Sequence, residues 1–283
     1  MNYYYDAVLK ASRFIEDNLT IDIKIQDIVN EVGFSQFHFM RVFRTISGHT
    51  INKYIKRRKM TEAARYLLES DMRIIDIAVM FGYNSQEAFT RAFKEVYNVT
   101  PNIYRTTGIP YKNIEQVVLN EKLLDLKCFN TKPIEPQLVF KDDFMIAGIG
   151  YKGKNENFEI PKLWNRLNIE AHSIKNRVNK DICYGFETNC DRGSFEYIAG
   201  VEVSDVKNIP KGMKVQRIKR SKYAVFPIPS VVENVPGCIG QIYSVHLPYS
   251  GLRTIGNYDF EYYDNSFEAN NGNTYISFYI PVE

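Results

Sequence analysis

The amino-acid sequence predicts two domains of different fold class. We expect an all-α N-terminal module with two helix-turn-helix units, then an α+β domain of two β-α-β-β repeats with a pseudo-twofold cleft. Three observations predict this arrangement: an internal repeat spans the first hundred residues, no proline occurs before Pro101, and a second repeat lies in the β-rich part after Pro133. The predicted boundaries are 1–107 for the first domain, 108–136 for a linker and 137–283 for the second domain.

The N-terminal repeat consists of two similar stretches, 25–44 and 74–94. Each begins with apolar residues at i, i+3, i+4 and i+7, which is the spacing of an amphipathic helix. Each continues to a glycine, Gly33 or Gly82, where a helix would end in the left-handed conformation. A polar cap follows, Ser35 in the first unit and Asn84 or Ser85 in the second, before a helix that ends in Arg-x-Phe and a basic residue. Helix, glycine-containing turn and helix form the helix-turn-helix motif, whose second helix enters the major groove of DNA.

The alternative is an all-helical interaction domain whose glycines only end helices. Two units at nearly constant spacing, each with arginine on its second helix, favour DNA binding over this alternative. The charge distribution agrees: residues 1–108 hold 15 basic and 12 acidic residues, and the remainder holds 21 of each. The excess positive charge of the N-terminal part is suited to a polyanion.

The composition excludes several other classes of protein. The sequence is 45% hydrophobic and 24% charged and has no apolar run long enough for a transmembrane helix. Its first residues lack the layout of a signal peptide. The four cysteines form no CxxC pair, so we expect no zinc site, no other metal, no cofactor and no disulfide framework. We therefore expect a reduced, cytoplasmic protein that associates with the nucleoid.

The N-terminal region resembles the DNA-binding module of the AraC/XylS family, in particular the activators of the MarA, SoxS and Rob type. The residues that carry this resemblance include Gly33-Phe34-Ser35, Arg41-Val42-Phe43, Phe81-Gly82-Tyr83, Phe89-Thr90-Arg91-Ala92-Phe93-Lys94 and Thr100-Pro101. The resemblance implies a long helix at 51–70 that places two recognition helices in successive major grooves of double-stranded DNA. It also implies that one chain can bind as a monomer, with RNA polymerase as a further partner and dimerisation left open.

The predicted recognition helices are 35–44 and 85–94. Phe39, Val42 and Phe43 of the first, and Phe89 and Phe93 of the second, are expected to pack inward. Arg41 is the best candidate for a bidentate contact with guanine, Gln86 suits adenine and Glu87 suits cytosine. The side chains predicted to face DNA are Gln36, Phe37, Met40, Arg41, Arg44, Gln86, Glu87, Thr90, Arg91 and Lys94.

The second repeat has an offset of 78 residues. Blocks that begin at Met145, Cys183 and Tyr197 align with blocks that begin at Tyr223, Glu261 and Tyr275, and a helical stretch separates the first two blocks of each set, near 159–176 and near 235–247. Two such halves leave a cleft, and clefts of this kind favour ligand pockets.

This part resembles the GyrI-like effector-binding domain of Rob-type and BmrR-type multidrug sensors. The resemblance is carried by blocks that include Tyr197–Val203, Pro210-Lys211-Gly212-Met213 and Asp259–Asp264. It implies that Glu261 lies in an aromatic-walled cavity and binds a small-molecule effector that is a lipophilic or aromatic cation. The candidate walls are Trp164, Tyr184, Tyr223, Phe226, His246, Phe260 and Tyr263. His246 departs from the family, which has tryptophan at that position.

The resulting hypothesis is a transcription regulator with a sensing domain and no catalytic residues. One alternative is a C-terminal domain that only sequesters ligand or docks a protein partner. Another is a hydrolase in which Glu261, with Tyr263 or His246, acts as general base. The sequence has no GxSxG motif, phosphate-binding loop or metal-ligand cluster to support the hydrolase.

Overall fold

The structure is a computed structural model that describes residues 3–108, 132–191 and 194–283. Within these ranges the chain forms two compact units. The first contains 3–33 and 46–108, and the second contains Phe34–Thr45 together with 132–191 and 194–283. The predicted linker lies outside the described residues except for Gly108 and 132–136. None of the helices in these ranges is long and apolar enough to cross a membrane.

The N-terminal region is entirely helical between its turns, as predicted. Its helices are α1 (Tyr3–Asp17), α2 (Ile25–Val32), α3 (Gln36–Ser47), α4 (Ile51–Glu69), α5 (Ile74–Met80), α6 (Gln86–Tyr97) and α7 (Pro101–Thr107). The two sequence repeats correspond to α2 with α3 and to α5 with α6. The helix-turn-helix order is therefore confirmed in both.

The ends of these helices follow the turn chemistry expected from the sequence. Gly33 and Gly82 both have left-handed backbone, with φ of 73° and 80°. Of the two possible caps in the second unit, Ser85 is the one used: its side chain accepts a hydrogen bond from the backbone N–H of Ala88 at 3.1 Å. Ser35 accepts a longer bond from the N–H of His38, at 3.4 Å. Both serines thus satisfy a donor that a helix N-terminus would otherwise leave free.

The long helix α4 contains an ion-pair network within the first unit. Arg58 has only 5% of its side chain exposed and donates two hydrogen bonds to Glu16, at 2.7 and 2.8 Å. A third goes to Glu62, one turn along the helix, at 3.1 Å. Arg58 therefore has a structural role inside this unit, because a buried guanidinium needs paired carboxylates.

The second unit contains an eight-stranded antiparallel sheet. The strands are β1 (Gln137–Lys141), β2 (Phe144–Gly153), β3 (Cys183–Asp191), β4 (Ser194–Val203), β5 (Lys214–Ile218), β6 (Ser221–Pro229), β7 (Tyr258–Tyr263) and β8 (Tyr275–Val282). Their order in the sheet is β1-β6-β8-β7-β3-β4-β2-β5. Helices follow β2 and β6: α8 (Glu159–Glu170), then α9 (Val235–Gln241), a π-helical turn (Ile242–His246) and α10 (Leu247–Ser250).

This topology confirms the two β-α-β-β repeats. The two halves meet where β3 pairs with β7, and there Tyr184 lies opposite Tyr262, which follows it by the repeat offset of 78 residues. The edge strands are exchanged between halves: β1 precedes β2 but pairs with β6, and β5 precedes β6 but pairs with β2. Each half is therefore completed by a strand from the other.

The two faces of the sheet carry different side chains because residues alternate along each strand. One face holds an aromatic core that includes Phe144, Tyr184, Tyr223 and Phe260. The other face is covered by helices. On it Leu163 and Leu167 of α8 pack with Ile149, Tyr197 and Ala199. We call this second side the helix-covered face.

Candidate DNA-binding and effector-binding sites

The second recognition helix, α6, presents its polar side to solvent. Phe89 and Phe93 are fully buried, as predicted. The predicted DNA-facing residues of this helix lie on the opposite side: Gln86, Glu87, Arg91 and Lys94 are exposed, and Thr90 is half-buried. This exposed side offers amide, hydroxyl, guanidinium and ammonium donors, which are groups that can contact DNA bases and phosphates.

The first recognition helix, α3, has a different environment. Phe39, Val42 and Phe43 are fully buried, as predicted, but Phe37 and Met40, expected to face DNA, are also buried, with 2% and 5% exposure. Gln36 is half-buried, and only Arg44 of the predicted contacts is exposed. The segment Phe34–Thr45, which we call the docked segment, belongs to the same compact unit as the C-terminal sheet.

Arg41 of the docked segment forms ion pairs with two carboxylates of the sheet. Its Nη2 atom lies 2.6 Å from Oε2 of Glu187, and its Nε atom lies 3.2 Å from Oδ2 of Asp259. The guanidinium also lies 5.1 Å from the ring centre of Phe37 and 5.5 Å from that of Tyr243. Arg41, the predicted base-reading residue, is thus held by two acids and two aromatic rings in this conformation.

His38 lies next to this ion pair and is fully buried. Its Nδ1 atom is 3.2 Å from the hydroxyl of Tyr243, and its Nε2 atom is 3.0 Å from the carbonyl oxygen of Ile255. Burial, helped by the nearby Arg41 and opposed by the hydrogen bond to Ile255, lowers the pKa of His38 to about 3, so the imidazole is neutral. The neutral ring can donate from Nε2 to this carbonyl, while the hydroxyl proton of Tyr243 is donated to Asp259.

Glu261 lies on β7 on the helix-covered face. It is 8% exposed and accepts hydrogen bonds from the hydroxyls of Tyr197, at 2.5 Å, and Tyr263, at 2.9 Å. Gly185 is its cross-strand partner, and a Cβ atom there would collide with both Glu261 and Tyr197. Glycine at this position therefore leaves room for the carboxylate and the tyrosine hydroxyl to meet.

Trp164 of α8 completes this site. Its ring is 4.6 Å from that of Tyr263 in an edge arrangement, and its Nε1–H donates to the hydroxyl of Tyr197 at 3.2 Å. In residues 3–108, 132–191 and 194–283, no basic side chain lies within ion-pair distance of Glu261. We call Trp164, Tyr197, Glu261 and Tyr263 the Glu261 site.

The carboxylates of the helix-covered face influence one another. Burial raises the pKa of Glu261 to about 7, against the two tyrosine hydrogen bonds, which lower it. Burial likewise raises the pKa of Asp259 to about 7, although Arg41 opposes the shift. The pKa of Glu187 is raised by burial too. Three acids thus share one low-dielectric region, which favours the arrival of positive charge.

Three of the predicted aromatic walls are not beside Glu261, which corrects the expectation that they line its cavity. Tyr184, Tyr223 and Phe260 lie in the aromatic core on the other face of the sheet. The reason is strand alternation: Phe260 is adjacent to Glu261 along β7, so their side chains point to opposite faces. This alternation could have been applied to the sequence alone.

Phe226 and His246 lie in the other half of the domain. Both are buried, and their rings stack with centres 6.3 Å apart. His246 has its pKa lowered by burial, and its Nδ1 atom accepts a bond from the N–H of Ile134 at 3.4 Å. The structure therefore brings only Trp164 and Tyr263, of the predicted walls, into contact with the Glu261 site.

Sequence reasoning missed Tyr197, Glu187, Asp259 and Tyr243. Asp259 could have been found, because it stands two residues before Glu261 on a strand and must share its face. Glu187 can be placed on the same side only when the pairing register of β3 with β7 is known. Tyr243 lies in the π-helical turn, whose side-chain directions cannot be read from a 3.6-residue period.

In the described part of the chain, no three acidic, histidine or cysteine side chains are arranged as a group that could hold a metal ion. The site chemistry consists of carboxylates, tyrosine hydroxyls and aromatic rings. Such a set can attract cations and exchange hydrogen bonds.

Comparison with known proteins gives two domain matches. Residues 137–282 match the Cass2 family of integron-associated effector binding proteins, and residues 28–107 match a helix-turn-helix domain family. The first match covers more than half of the chain.

Among individual proteins, the HTH-type regulator YbfP of Bacillus subtilis is 47% identical over 104 residues, which are 37% of this chain and 35% of YbfP. The chain thus matches about a third of YbfP. The multiple antibiotic resistance protein MarA of Salmonella typhimurium is 36% identical over 107 residues, 38% of this chain and 84% of MarA. A structure of SAV2435 bound to tetraphenylphosphonium aligns with 53% of this chain and 94% of its own, at 21% identity and a TM-score of 0.44.

The family resemblances seen in the sequence are confirmed by these matches. The chain belongs to the family of integron-associated effector binding proteins, which is GyrI-like, and is a DNA-binding transcription regulator of the AraC and MarA type with a C-terminal effector-binding domain.

Proposed function

We propose that the chain controls transcription by inserting both recognition helices into successive major grooves of double-stranded DNA. Support comes from the exposed polar side of α6, where Arg91 and Gln86 are free of the hydrophobic packing that holds Phe89 and Phe93. Because one chain supplies both helices, a monomer suffices and the DNA site need not be palindromic. RNA polymerase is the further partner that an activator of this kind would contact.

We also propose that the C-terminal domain binds a lipophilic organic cation at the Glu261 site. The observation that carries this proposal is a buried carboxylate held by two tyrosine hydroxyls beside an indole ring, with no ion-pair partner among the described residues. Burial raises the free energy of the charged form of Glu261, and a bound cation would offset that increase. The faces of Trp164 and Tyr263 would add cation–π attraction of about 0.5 to 2 kcal/mol per ring.

The test is calorimetric titration of the full chain with tetraphenylphosphonium, with triphenylphosphine oxide as a neutral probe of similar shape. Glu261→Gln should lose at least about tenfold in affinity for the cation, since a charged pair in an apolar site is worth more than about 1.4 kcal/mol. It should leave binding of the neutral probe unchanged.

The matched control is Glu202→Gln. Glu202 also accepts a tyrosine hydroxyl, that of Tyr184 at 2.7 Å, but it lies on the aromatic-core face. Cation affinity equal to the parent is expected for this variant. Equal losses in both variants, or equal binding of cation and neutral probe, would remove the proposal for the Glu261 site.

A further inference from the structure

A second acidic site lies on the helix-covered face, two residues along the strands from Glu261 and its partner Gly185. Glu187 on β3 and Asp259 on β7 are direct cross-strand partners, so their carboxylates face the same side at adjacent positions. Like charges placed directly opposite each other destabilise a sheet. Both side chains are mostly buried, with 17% and 1% exposure, so water relieves little of this repulsion.

A single guanidinium resolves the repulsion. Arg41 contacts Glu187 at 2.6 Å and reaches both oxygens of Asp259, at 3.2 and 3.4 Å. A planar guanidinium can satisfy two carboxylates in this way, whereas an ammonium group cannot present the same fork of donors. Tyr243 closes the site: its hydroxyl donates to Asp259 at 2.7 Å while its ring lies 5.5 Å from the guanidinium.

The cation in this site comes from the DNA-reading helix. Arg41 lies on α3, and the neighbours that α3 would bring to a DNA groove, Phe37 and Met40, are buried in the same conformation. One guanidinium cannot contact a guanine edge and these two carboxylates at the same time. Occupation of the acidic site and base reading by Arg41 therefore exclude each other.

We propose that Glu187, Asp259 and Tyr243 form a guanidinium-binding site that withholds Arg41 from DNA, and that a ligand bearing a guanidinium or amidinium group releases it. The DNA consequence rests on the proposed function of α3, but the site itself does not. Because ligand and Arg41 compete for the same carboxylates, the ligand favours the released state by differential affinity, which is the requirement for a ligand-driven switch. A ligand of this class acts as an inducer of DNA binding.

The site is tested first without DNA, by titration of the full chain with phenylguanidine and with phenylurea, its neutral counterpart. Arg41→Ala empties the site of its resident cation and should bind phenylguanidine at least about tenfold more tightly than the parent, if Arg41 occupies the site nine-tenths of the time or more. Asp259→Asn added to Arg41→Ala should abolish that gain, and phenylurea should not bind. Equal affinity of the parent and Arg41→Ala for phenylguanidine would overturn the proposal.

The withholding of Arg41 from DNA is tested with a DNA duplex that the full chain selects from a random pool. Asp259→Asn should raise affinity for this duplex by about tenfold in the parent and leave it unchanged in the Arg41→Ala background, because the substitution acts through Arg41. Glu196→Gln, which alters an exposed carboxylate paired with Lys152, is the control and should have no effect in either background. An equal effect of Asp259→Asn in both backgrounds would show that Arg41 is not withheld.

These outcomes separate the two proposals. If tetraphenylphosphonium does not bind at Glu261, the proposed effector is refuted. If the full chain selects no duplex, the proposed DNA binding is refuted. The phenylguanidine titration depends on neither, so its failure refutes the guanidinium site alone.

Discussion

The two recognition helices belong to the same sequence repeat but lie in different surroundings. On α6 the arginine and its polar neighbours are exposed. On α3 the arginine is held by two carboxylates and its neighbours Phe37 and Met40 are buried. An interior pattern shared by two helices, here Phe-x-x-x-Phe on the packed side, therefore does not determine what the opposite side contacts.

Arg41 and Arg91 should differ most in how much their replacement weakens DNA binding. Arg91→Ala should weaken binding to a selected duplex by about 1 to 3 kcal/mol, because the base contact proposed for this exposed side chain is lost. In the absence of ligand, Arg41→Ala should weaken DNA binding by less. It loses the proposed base contact, but it also ends the competition of Glu187 and Asp259 with DNA for Arg41. Fluorescence anisotropy measures both. Equal losses for the two variants would mean that α3 is not held back.

Chemical reactivity should also differ between Arg41 and Arg91. Phenylglyoxal modifies accessible guanidinium groups, so Arg91 should react about tenfold faster than Arg41 if the docked segment is docked nine-tenths of the time. Peptide mass spectrometry gives both rates in one sample. Glu187→Gln should speed the reaction of Arg41 and leave that of Arg91 unchanged, and equal initial rates in the parent would contradict the docked arrangement.

A pH effect is expected near α3 and not near α6. Asp259 and Glu261 have pKa values raised to about 7 by burial, whereas the exposed Glu87 of α6 has a lowered pKa. The ionised carboxylate is the form that attracts a cation, so tetraphenylphosphonium affinity should rise from about pH 6 to about pH 8, by at most tenfold per pH unit below the pKa, and then level off.

The groups that bear on Glu261 from the elements around it are Arg41, Trp164, Glu187, Tyr197, Asp259 and Tyr263. The tyrosine pKa values are raised far above this range, so those hydroxyls stay protonated donors throughout. Glu261→Gln should flatten most of the pH profile. A profile that keeps its full slope in this variant would assign the titration to Asp259 instead.

The helix caps Ser35 and Ser85 should differ slightly in their contribution to stability. Ser85→Ala should lower the free energy of unfolding by about 1 kcal/mol, since it frees the N–H of Ala88. Ser35→Ala should cost less, because its bond to His38 is longer, at 3.4 Å against 3.1 Å. Urea denaturation of the two variants gives the order. A larger loss at Ser35 would reverse this part of the comparison.

Much of the fold could be predicted from the sequence because local chemistry determines it. The left-handed glycines Gly33 and Gly82 and the cap Ser85 are local signals, and the 78-residue offset reappears in the pairing of Tyr184 with Tyr262. The exchange of β1 and β5 could not be predicted, because strand pairing between distant segments leaves no periodic trace in either segment.

The candidate site was predicted less completely. Glu261, Trp164 and Tyr263 come together as expected, but strand alternation puts Tyr184, Tyr223 and Phe260 on the other face. The contact of Arg41 with Glu187 and Asp259 joins residues about 150 to 220 positions apart. Only a folded structure reveals such a pairing, since each of the three residues has an ordinary surface role when its own segment is considered alone.

The exchanged edge strands also have a consequence for biosynthesis. Strand β1 is at one end of the sheet and pairs with β6, with Gln137 opposite Val225, so its partner is made almost ninety residues later. At a translation speed of about 5 to 20 residues per second, β1 leaves the ribosome several seconds before β6 does. Through that interval the nascent chain carries an unpaired strand with three apolar side chains, Leu138, Val139 and Phe140. The first half of the domain cannot finish folding until the second half has begun to emerge.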